Sequence, residues 1–591
     1  MKSVRIFYLF ILLGFLPFCS LAQTPTGEGY FLHTITKGQS LYSIASMYNV
    51  SVDEIIKLNP GSEEMIREGK TLKIPQTKSS GSPQFHTIQP GETLYRLTVK
   101  YKVSASAICK ANPGLSASNF RAGQVIVIPA STASTAIVED EAPKVEVPST
   151  DPSKKWQDMH KVKKGETIFS ISRMYNITEE ELINANPELR KGKLKKGTFL
   201  AIPYHVDPQT IAEKQDPSND ELFNKNKQEI KRLATIKAAI VLPFGTKGQL
   251  STNDKTRMVE YYRGVLMACD TLKKKGVSLD IYTYDSGTTL ASVRTILNKS
   301  EMKKMDIIFG PSLLEQIKPM SDFAKENRIR LVIPFTSKDK EVFNNPYIYL
   351  INTPQSYLYS EVYDHFMKQF KQPNVVFLDA NDADKSKVDF IKEIKSFLSE
   401  HQIRYSELKS DNITSELMQS KVDSTKNNVF IPTSSSNVAL IKLLPQLVVL
   451  TRDHPSYKVN LFGYPEWQTY TKDHLNEFFE LDTYFYSSFY TNNLFPESIK
   501  FSASYRRWFG KDMANTYPKY GMLGFDTAYF LLNGLSRYGS ELENNLNKQN
   551  IIPIQTGFKY DRVNNWGGFI NKKVFFVHFT PNGELVKIDF E

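Results

Sequence analysis

A pattern that occurs three times in the first third of the chain restricts its fold more than any other feature. Each copy opens with an alternating segment that contains a His, and a Gly follows five residues after that His. A Tyr stands ten residues after the Gly, and an Asn-Pro pair begins twenty-one residues after it. The opening pairs are His33 and Gly38, His86 and Gly91, and His160 and Gly165. Agreement at fixed spacing in three segments indicates three copies of one small domain.

The residue types within one copy predict two short strands and two short helices. In the first copy, Ser40 stands where a helix N-cap is needed, two residues after a Gly that allows a tight turn. Leu41, Ile44 and Tyr48 then lie three and four residues apart, which gives one apolar helical face. The second helix is predicted to end at Asn-Pro, because the residue before Pro disfavours the helical conformation. Each copy is therefore a βααβ unit of about 45 residues.

These units resemble LysM domains, the small glycan-binding modules of cell-wall proteins. The resemblance implies that each copy binds N-acetylglucosamine units of peptidoglycan or chitin. The implied site is a shallow groove between the loop that enters the first helix and the loop that leaves the second. The groove residues implied by motif position are Gly38, Gln39, Ser40, Leu41, Asn59, Pro60 and Gly61; Gly91, Glu92, Thr93, Leu94, Asn112, Pro113 and Gly114; and Gly165, Glu166, Thr167, Ile168, Asn186, Pro187 and Glu188.

Several of these positions have a structural interpretation beside the functional one. A turn needs its Gly and a helix stop needs its Asn-Pro whether or not a ligand binds. The three repeated His residues are interpreted as packing or rim residues rather than metal ligands, because no ligand set recurs near them at suitable spacing. No metal site and no cofactor are therefore expected.

The N-terminus predicts export. Residues 1–22 have the pattern of a secretory signal: a start with Lys2 and Arg5, an apolar stretch, and a small-x-small site that predicts cleavage after Ala22. Cys19 raises the alternative of a lipoprotein anchor, but Phe18 stands before it where a small residue is needed. No later apolar run approaches the roughly 18–20 residues of a membrane span. The mature protein is expected in the periplasm or at the cell wall.

Composition shifts divide the rest of the chain. The predicted LysM domains are 31–76, 85–130 and 158–204, the connecting linkers are 77–84, 131–157 and 205–235, and a C-terminal domain follows at 236–591. Ser, Thr, Pro and acidic residues in the second linker predict a flexible tether, and tethered weak modules gain avidity. The formal net charge is +11, yet no Lys/Arg-rich block occurs, so a nucleic-acid partner is not expected.

The C-terminal domain has a different pattern, in which apolar strands alternate with amphipathic helices. A continuous apolar run at 238–244 is typical of a parallel strand that is covered on both faces. A helix near 255–275 and further strands near 278–284, 306–310, 330–335, 374–379, 428–431 and 459–463 continue the alternation. This pattern predicts a doubly wound α/β domain, and 356 residues are too many for one core. Two lobes with a cleft are expected.

Short motifs in this domain resemble the type I periplasmic binding-protein fold, the group that includes branched-chain amino-acid receptors. They are Tyr262-Arg263-Gly264-Val265, the segment 306–311, the segment 330–337 and Gly524-Phe525-Asp526. In that family the loops after the third and fourth strands hold the amino-acid carboxylate and ammonium groups. The matching positions are Ser312, Thr336 and Ser337. The alternative for all three is helix or turn capping.

The motifs that are missing decide the class of function. The chain contains no His-Glu-x-x-His, no Cys-x-x-Cys, no Gly-x-Ser-x-Gly and no phosphate-binding loop, which favours a non-enzyme. The first hypothesis is a peptidoglycan-binding envelope protein whose C-terminal domain binds a small ligand such as an amino acid. The second is a ligand-less scaffold or regulator of cell-wall synthesis with a protein partner. A cell-wall hydrolase is a minor alternative, since catalytic carboxylates need no linear motif.

Overall fold

The computed structural model describes residues 29–63, 66–76, 84–130, 158–190, 194–203, 216–226, 231–245, 250–492 and 495–590. The predicted signal peptide at 1–22, Cys19 within it and the tether at 131–157 lie outside the described residues. Within these ranges, none of the helices combines the length and the apolar character that crossing a membrane requires.

Three small domains of the predicted βααβ type occupy the N-terminal part. In each one, two short helices pack on a two-stranded antiparallel sheet. The first contains β1 (Tyr30–Thr34), α1 (Leu41–Tyr48), α2 (Val52–Leu58) and β2 (Thr71–Pro75). The second contains β3 (Gln84–Thr87), α3 (Leu94–Tyr101), α4 (Ala105–Ala111) and β4 (Val125–Ile128). The third contains β5 (Asp158–Lys161), α5 (Ile168–Met174), α6 (Glu179–Ala185) and β6 (Phe199–Ile202). The βααβ prediction is confirmed.

The predicted helix caps are present. Ser40, Thr93 and Thr167 each accept a hydrogen bond from the backbone N–H three residues further on. These side chains satisfy one of the N–H groups that a helix leaves free at its start. A further short helix, α7 (Asn219–Lys225), lies in the segment 205–235, which was predicted to be a linker.

The C-terminal domain alternates strands and helices along its length. Its first half contains β7 (Ile236–Leu242), α8 (Thr252–Lys274), β8 (Leu279–Asp285), α9 (Leu290–Leu297), β9 (Ile307–Phe309), α10 (Leu314–Asn327), β10 (Arg330–Ile333), β11 (Ile348–Leu350), α11 (Tyr359–Gln369), β12 (Asn374–Asp379), α12 (Val388–Glu400) and β13 (Tyr405–Lys409). Its second half contains α13 (Ser415–Gln419), β14 (Asn427–Pro432), α14 (Asn437–Asp453), β15 (Lys458–Gly463), α15 (Thr471–Glu480), β16 (Thr483–Ser487), α16 (Pro496–Phe509), α17 (Tyr520–Tyr538), α18 (Leu542–Asn545), β17 (Tyr560–Arg562), β18 (Phe569–Asn571), β19 (Phe575–Phe579) and β20 (Leu585–Asp589).

Two lobes are built on two seven-stranded sheets. The first lobe has the strand order β17-β18-β11-β10-β9-β7-β8, and the second has β13-β12-β14-β15-β16-β19-β20. Numbered within each lobe, the five leading strands run 2-1-3-4-5, which is the order of doubly wound folds. The chain passes to the second lobe after β11, returns to the first after β16, and crosses again between β18 and β19. The prediction of a two-lobed α/β domain is confirmed.

Two helices of the first lobe cross at unusually close range. A Cβ atom on Gly264 of α8 would lie 1.9 Å from the carbonyl oxygen of Gly521 on α17. A Cβ atom on Gly524 would lie 2.0 Å from the carbonyl oxygen of Tyr261. Two of the four motifs that carry the resemblance therefore meet here, and their glycines let the helix backbones touch.

Candidate glycan-binding grooves and interlobe cleft

The loop that enters the first helix has the same internal support in all three LysM domains. In the second domain, Glu92 accepts a hydrogen bond from the backbone N–H of Gln89 at 2.8 Å and contacts Nε2 of His86 at 2.6 Å. The hydroxyl of Tyr101 contacts the other ring nitrogen of His86 at 2.9 Å. The equivalent sets are His33, Gln39 and Tyr48, and His160, Glu166 and Tyr175.

The repeated His residues are therefore buried parts of a hydrogen-bonded loop support, in line with their interpretation as packing residues. Burial lowers the pKa of His33 and of His86, which favours the neutral ring. The hydrogen-bond partners of these His residues were not predicted from the sequence. The signal was present, because a Gln or Glu stands six residues after each His.

The Asn of each Asn-Pro pair ties the second helix to the closing strand. The side-chain amide of Asn112 donates to the carbonyl oxygens of Ile108 at 2.8 Å and Val127 at 2.7 Å, and its Oδ1 accepts from the N–H of Val127 at 2.8 Å. Asn59 and Asn186 make the same three contacts in their own domains. These side chains thus serve the fold.

Replacement of Asn112 by Ala is expected to destabilise the second LysM domain by about 2–3 kcal/mol, because buried backbone groups of Ile108 and Val127 lose their partner. Amide hydrogen exchange of β4 in the full chain measures the effect. Asn112→Asp keeps the acceptor but sets a buried carboxylate oxygen against the carbonyl oxygens of Ile108 and Val127, so a loss at least as large as that of the Ala variant is expected. Unchanged exchange in the Ala variant would contradict the structural role.

The first groove lies against the C-terminal domain. A Cβ atom on Gly38 would lie 2.9 Å from Oγ of Ser360, and the neighbouring Lys37 forms an ion pair with Asp364. A cavity of about 470 Å³ separates the rest of this loop from the C-terminal domain. Gln39, Ser40 and Leu41 of this loop are half-buried. On the other side of the groove, Asn59 is half-buried, and Pro60 and Gly61 are exposed.

The second groove is in contact with two other parts of the chain. The backbone N–H of Leu94 donates to Oδ1 of Asn219 in α7 at 2.8 Å. The backbone N–H of Gly114 donates to the carbonyl oxygen of Asn565 at 2.8 Å. Gly91 and Pro113 remain exposed, and Glu92 and Thr93 are half-buried.

The third groove is open among the residues that the structure describes. A Cβ atom on Gly165 would have no heavy atom within 4 Å. Thr167, Pro187 and Glu188 are exposed, Glu166 and Ile168 are half-buried, and Asn186 is buried. The apolar cluster of this domain contains only its own residues within the described chain.

The first two LysM domains pack against the first lobe, and local sequence patterns give no sign of this contact. The ring of Trp566, between β17 and β18, lies 5.9 Å from Tyr48 and 5.3 Å from Phe85. The ring of Phe31 lies 5.3 Å from that of Phe85. Side-chain hydrogen bonds from Thr34 to the Gly123 carbonyl and from Thr87 to the Leu32 carbonyl join the two domains directly. Neither of these two LysM domains is therefore an independent module on a flexible tether.

The predicted small-ligand residues stand at the carboxyl ends of neighbouring parallel strands of the first lobe. Ser312 follows β9, and Thr336 and Ser337 follow β10, which pairs with β9 in parallel. All three side chains are half-buried. Oγ1 of Thr336 accepts a hydrogen bond from the backbone N–H of Lys338 at 3.1 Å, so this side chain also closes a turn.

The facing edge of the second lobe carries a buried cation that the sequence did not reveal. Nζ of Lys387, whose side chain is 2% exposed, donates to Oε1 of Glu466 at 2.7 Å and to Oε1 of Gln355 at 2.8 Å. The hydroxyl of Tyr486 donates to the same Gln355 oxygen at 3.3 Å, and the Lys387 ammonium lies 5.1 Å from the ring centre of Tyr464. These side chains therefore occupy part of the strand ends where open α/β sheets hold ligands, and a cavity of about 360 Å³ remains beside the ends of β12 and β14.

Comparison with known proteins agrees with the N-terminal geometry. The family model described as LysM domain matches residues 33–75, 86–129 and 160–203. The chain is 36% identical over 99 residues to the putative sporulation-specific glycosylase YdhD of Bacillus subtilis, covering 17% of this chain and 22% of the relative. It is 26% identical over 160 residues to the N-acetylmuramoyl-L-alanine amidase sle1 of Staphylococcus saprophyticus, covering 26% of this chain and 46% of the relative.

This chain thus spans less than half the length of these curated relatives, and the amidase relatives match it over the LysM region. The repeated loops define the N-terminal part as an array of three small modules of one kind. The three modules are LysM domains.

Solved structures resemble the C-terminal part. They include an ABC transporter substrate-binding protein from Desulfitobacterium hafniense in complex with Leu, with 13% identity, 60% coverage of this chain, 100% coverage of that chain and a TM-score of 0.35. A putative branched-chain amino acid ABC transporter protein from Rhodospirillum rubrum has 13% identity, the same two coverages and a TM-score of 0.42. Each lobe of the C-terminal domain has the strand order of doubly wound α/β folds, in line with the predicted two-lobed α/β domain.

Proposed function

We propose that this protein is an exported, non-enzymatic peptidoglycan-binding protein of the cell envelope. The observation that carries the proposal is the third LysM domain, whose two groove loops are accessible among the described residues. Backbone N–H and carbonyl groups of such loops offer hydrogen bonds to the acetamido groups of a glycan strand. Glycan binding by this domain would place the rest of the chain at the wall.

The absence of catalytic sequence motifs supports the non-enzymatic part of the proposal. The LysM domains are followed by a binding fold and not by a recognisable hydrolase domain. Cys269 is buried on α8, and burial raises the pKa of its thiol to about 12, which suits a packing residue rather than a nucleophile.

For the C-terminal domain we favour the scaffold alternative, in which a wall-synthesis or remodelling protein is the partner. The ammonium group of Lys387 is paired with Glu466 and Gln355, and this set occupies part of the strand ends of the second lobe. The domain also holds two LysM domains on its first lobe, which suits a platform. The solute-receptor alternative is favoured by one observation, the placement of Ser312, Thr336 and Ser337 at adjoining strand ends. An amino acid would be its ligand.

Titration of the full-length protein with chitopentaose tests glycan binding, with cellopentaose as the matched control that has the same linkage but no acetamido group. We expect chitopentaose alone to bind and to slow amide exchange in residues 165–168 and 186–188. Binding of both sugars with equal affinity, or of neither, would contradict the proposal.

The choice between scaffold and receptor is tested by thermal denaturation of the full-length protein with a panel of amino acids. A receptor ligand at one hundred times its dissociation constant would add about 2.7 kcal/mol of stability, a shift of several degrees. The scaffold predicts no shift with any amino acid. A shift that Ser312→Ala abolishes would instead establish the receptor.

A further inference from the structure

The helix α7 packs against the second LysM domain at its groove. Oδ1 of Asn219 accepts a hydrogen bond from the backbone N–H of Leu94 at 2.8 Å, in the loop that enters the first helix of that domain. The ring of Phe223 lies 6.0 Å from that of Phe120, in the segment that follows the second helix. Leu222 and Phe223 both pack against the apolar core of the second domain. One short helix thus contacts the loop that enters the first helix and a segment that lies beyond the loop leaving the second helix.

The sequence of α7 suits this placement. Ser218 accepts a hydrogen bond from the N–H of Glu221 at 3.2 Å, and its own N–H donates to Oε2 of Glu221 at 2.9 Å. This reciprocal cap stabilises a helix that is too short to persist alone. Asn219, Leu222 and Phe223 stand three and four residues apart and share one face. The contact residues are therefore presented together.

The three copies provide an internal comparison. Leu94 of the second domain is 0% exposed, whereas the matching Leu41 and Ile168 are half-buried. The matching position is thus most completely buried in the copy on which α7 lies. On the far side of the same groove, Asn565 of the C-terminal domain accepts from the N–H of Gly114.

We propose that residues 218–226 are a built-in occupant of the second LysM groove and compete there with glycan. The carboxamide of Asn219 presents a carbonyl oxygen to a loop N–H, as the acetamido group of N-acetylglucosamine would. This inference rests on the proposed glycan-binding function. It refines that function by assigning wall binding to the third domain while α7 is seated on the second. The side of the second groove formed by the loop at Leu94 becomes available when α7 leaves.

An occupant in the same chain competes at a high effective concentration, about millimolar for a short connection. The apparent glycan affinity of the second groove falls in proportion to the fraction of molecules in which α7 has left. An α7 that is seated in about nine of ten molecules weakens binding about tenfold. A second, weaker class of sites is thus expected in the wild-type protein.

The test compares full-length wild-type protein with the double variant Asn219→Ala, Phe223→Ala. Asn224→Ala is the matched control, because Asn224 lies on the same helix with an exposed side chain. Titration with chitopentaose is expected to reveal one more high-affinity site per chain in the double variant than in the wild type or control. Amide exchange at Leu94, measured without sugar, is expected to be faster in the double variant only.

The outcomes separate this inference from the proposed function. Equal numbers of high-affinity sites in all three proteins, with binding intact, would overturn the competition alone. Equal exchange at Leu94 in the wild type and the double variant would show that α7 is not seated and would also overturn it. Absence of chitopentaose binding in every protein would overturn the proposed function together with the competition.

Discussion

Replacement of Trp566 by Ala is expected to detach the first two LysM domains from the first lobe. The Trp566 side chain is 6% exposed and contacts Tyr48 of the first domain and Phe85 of the second. Removing a large buried aromatic side chain costs about 3–5 kcal/mol. Because this ring joins three domains, the loss falls on their interface rather than on any one core.

Thermal unfolding of the full-length protein, followed by calorimetry, measures this change. We expect the first two LysM domains of the variant to unfold in a transition of their own. The midpoint of that transition is expected to lie below the temperature at which these domains unfold in the wild type. Trp508→Ala is the matched control, since Trp508 lies on α16 of the same domain and is 47% exposed. An unchanged transition in the Trp566 variant would show that the docking does not depend on this ring.

Gly264→Val is expected to have the other large effect, on the C-terminal domain itself. The new side chain would meet the carbonyl oxygen of Gly521, which a Cβ atom alone already approaches to 1.9 Å. Helices α8 and α17 would have to separate, and Val265 and Leu531 of the surrounding apolar core would lose packing. Overpacking costs typically 1–3 kcal/mol, and a backbone collision lies at or above the upper end of that range.

The melting temperature of the C-terminal domain reports this loss. Gly29→Ala serves as the control because a Cβ atom there would meet no heavy atom within 4 Å. We expect a fall of several degrees or failure to fold for Gly264→Val, and no change for the control. A melting temperature within one degree of the wild type would contradict the close helix crossing.

Most of the helices and strands could be predicted from local patterns in the sequence. Ser40, Thr93 and Thr167 were predictable as N-caps, because capping depends on residue type and on neighbours a few residues away. The long helix predicted near 255–275 is α8, Thr252–Lys274, since its signal is also local. The repeated LysM motifs and the motifs of the C-terminal domain both predicted the fold class that the structure has.

Contacts between distant segments could not be predicted in the same way. Asn565 donates to the carbonyl oxygen of Val125 across 440 residues, and neither residue carries a local signal of that partner. Asn219 lies in a polar stretch that resembles a linker, so its contact with Leu94 was hidden. The Lys387, Gln355 and Glu466 set comes from three separate segments. Tertiary packing, rather than propensity, decides which grooves are covered.

Incubation of the full-length protein with purified peptidoglycan tests peptidoglycan binding and the absence of hydrolysis in one measurement. After sedimentation, the pellet is assayed for protein and the supernatant for released reducing ends and free amino groups. We expect the protein in the pellet, its displacement by chitopentaose but not by cellopentaose, and no release of wall fragments. Protein that stays in the supernatant would contradict peptidoglycan binding, and soluble wall fragments would show an enzyme.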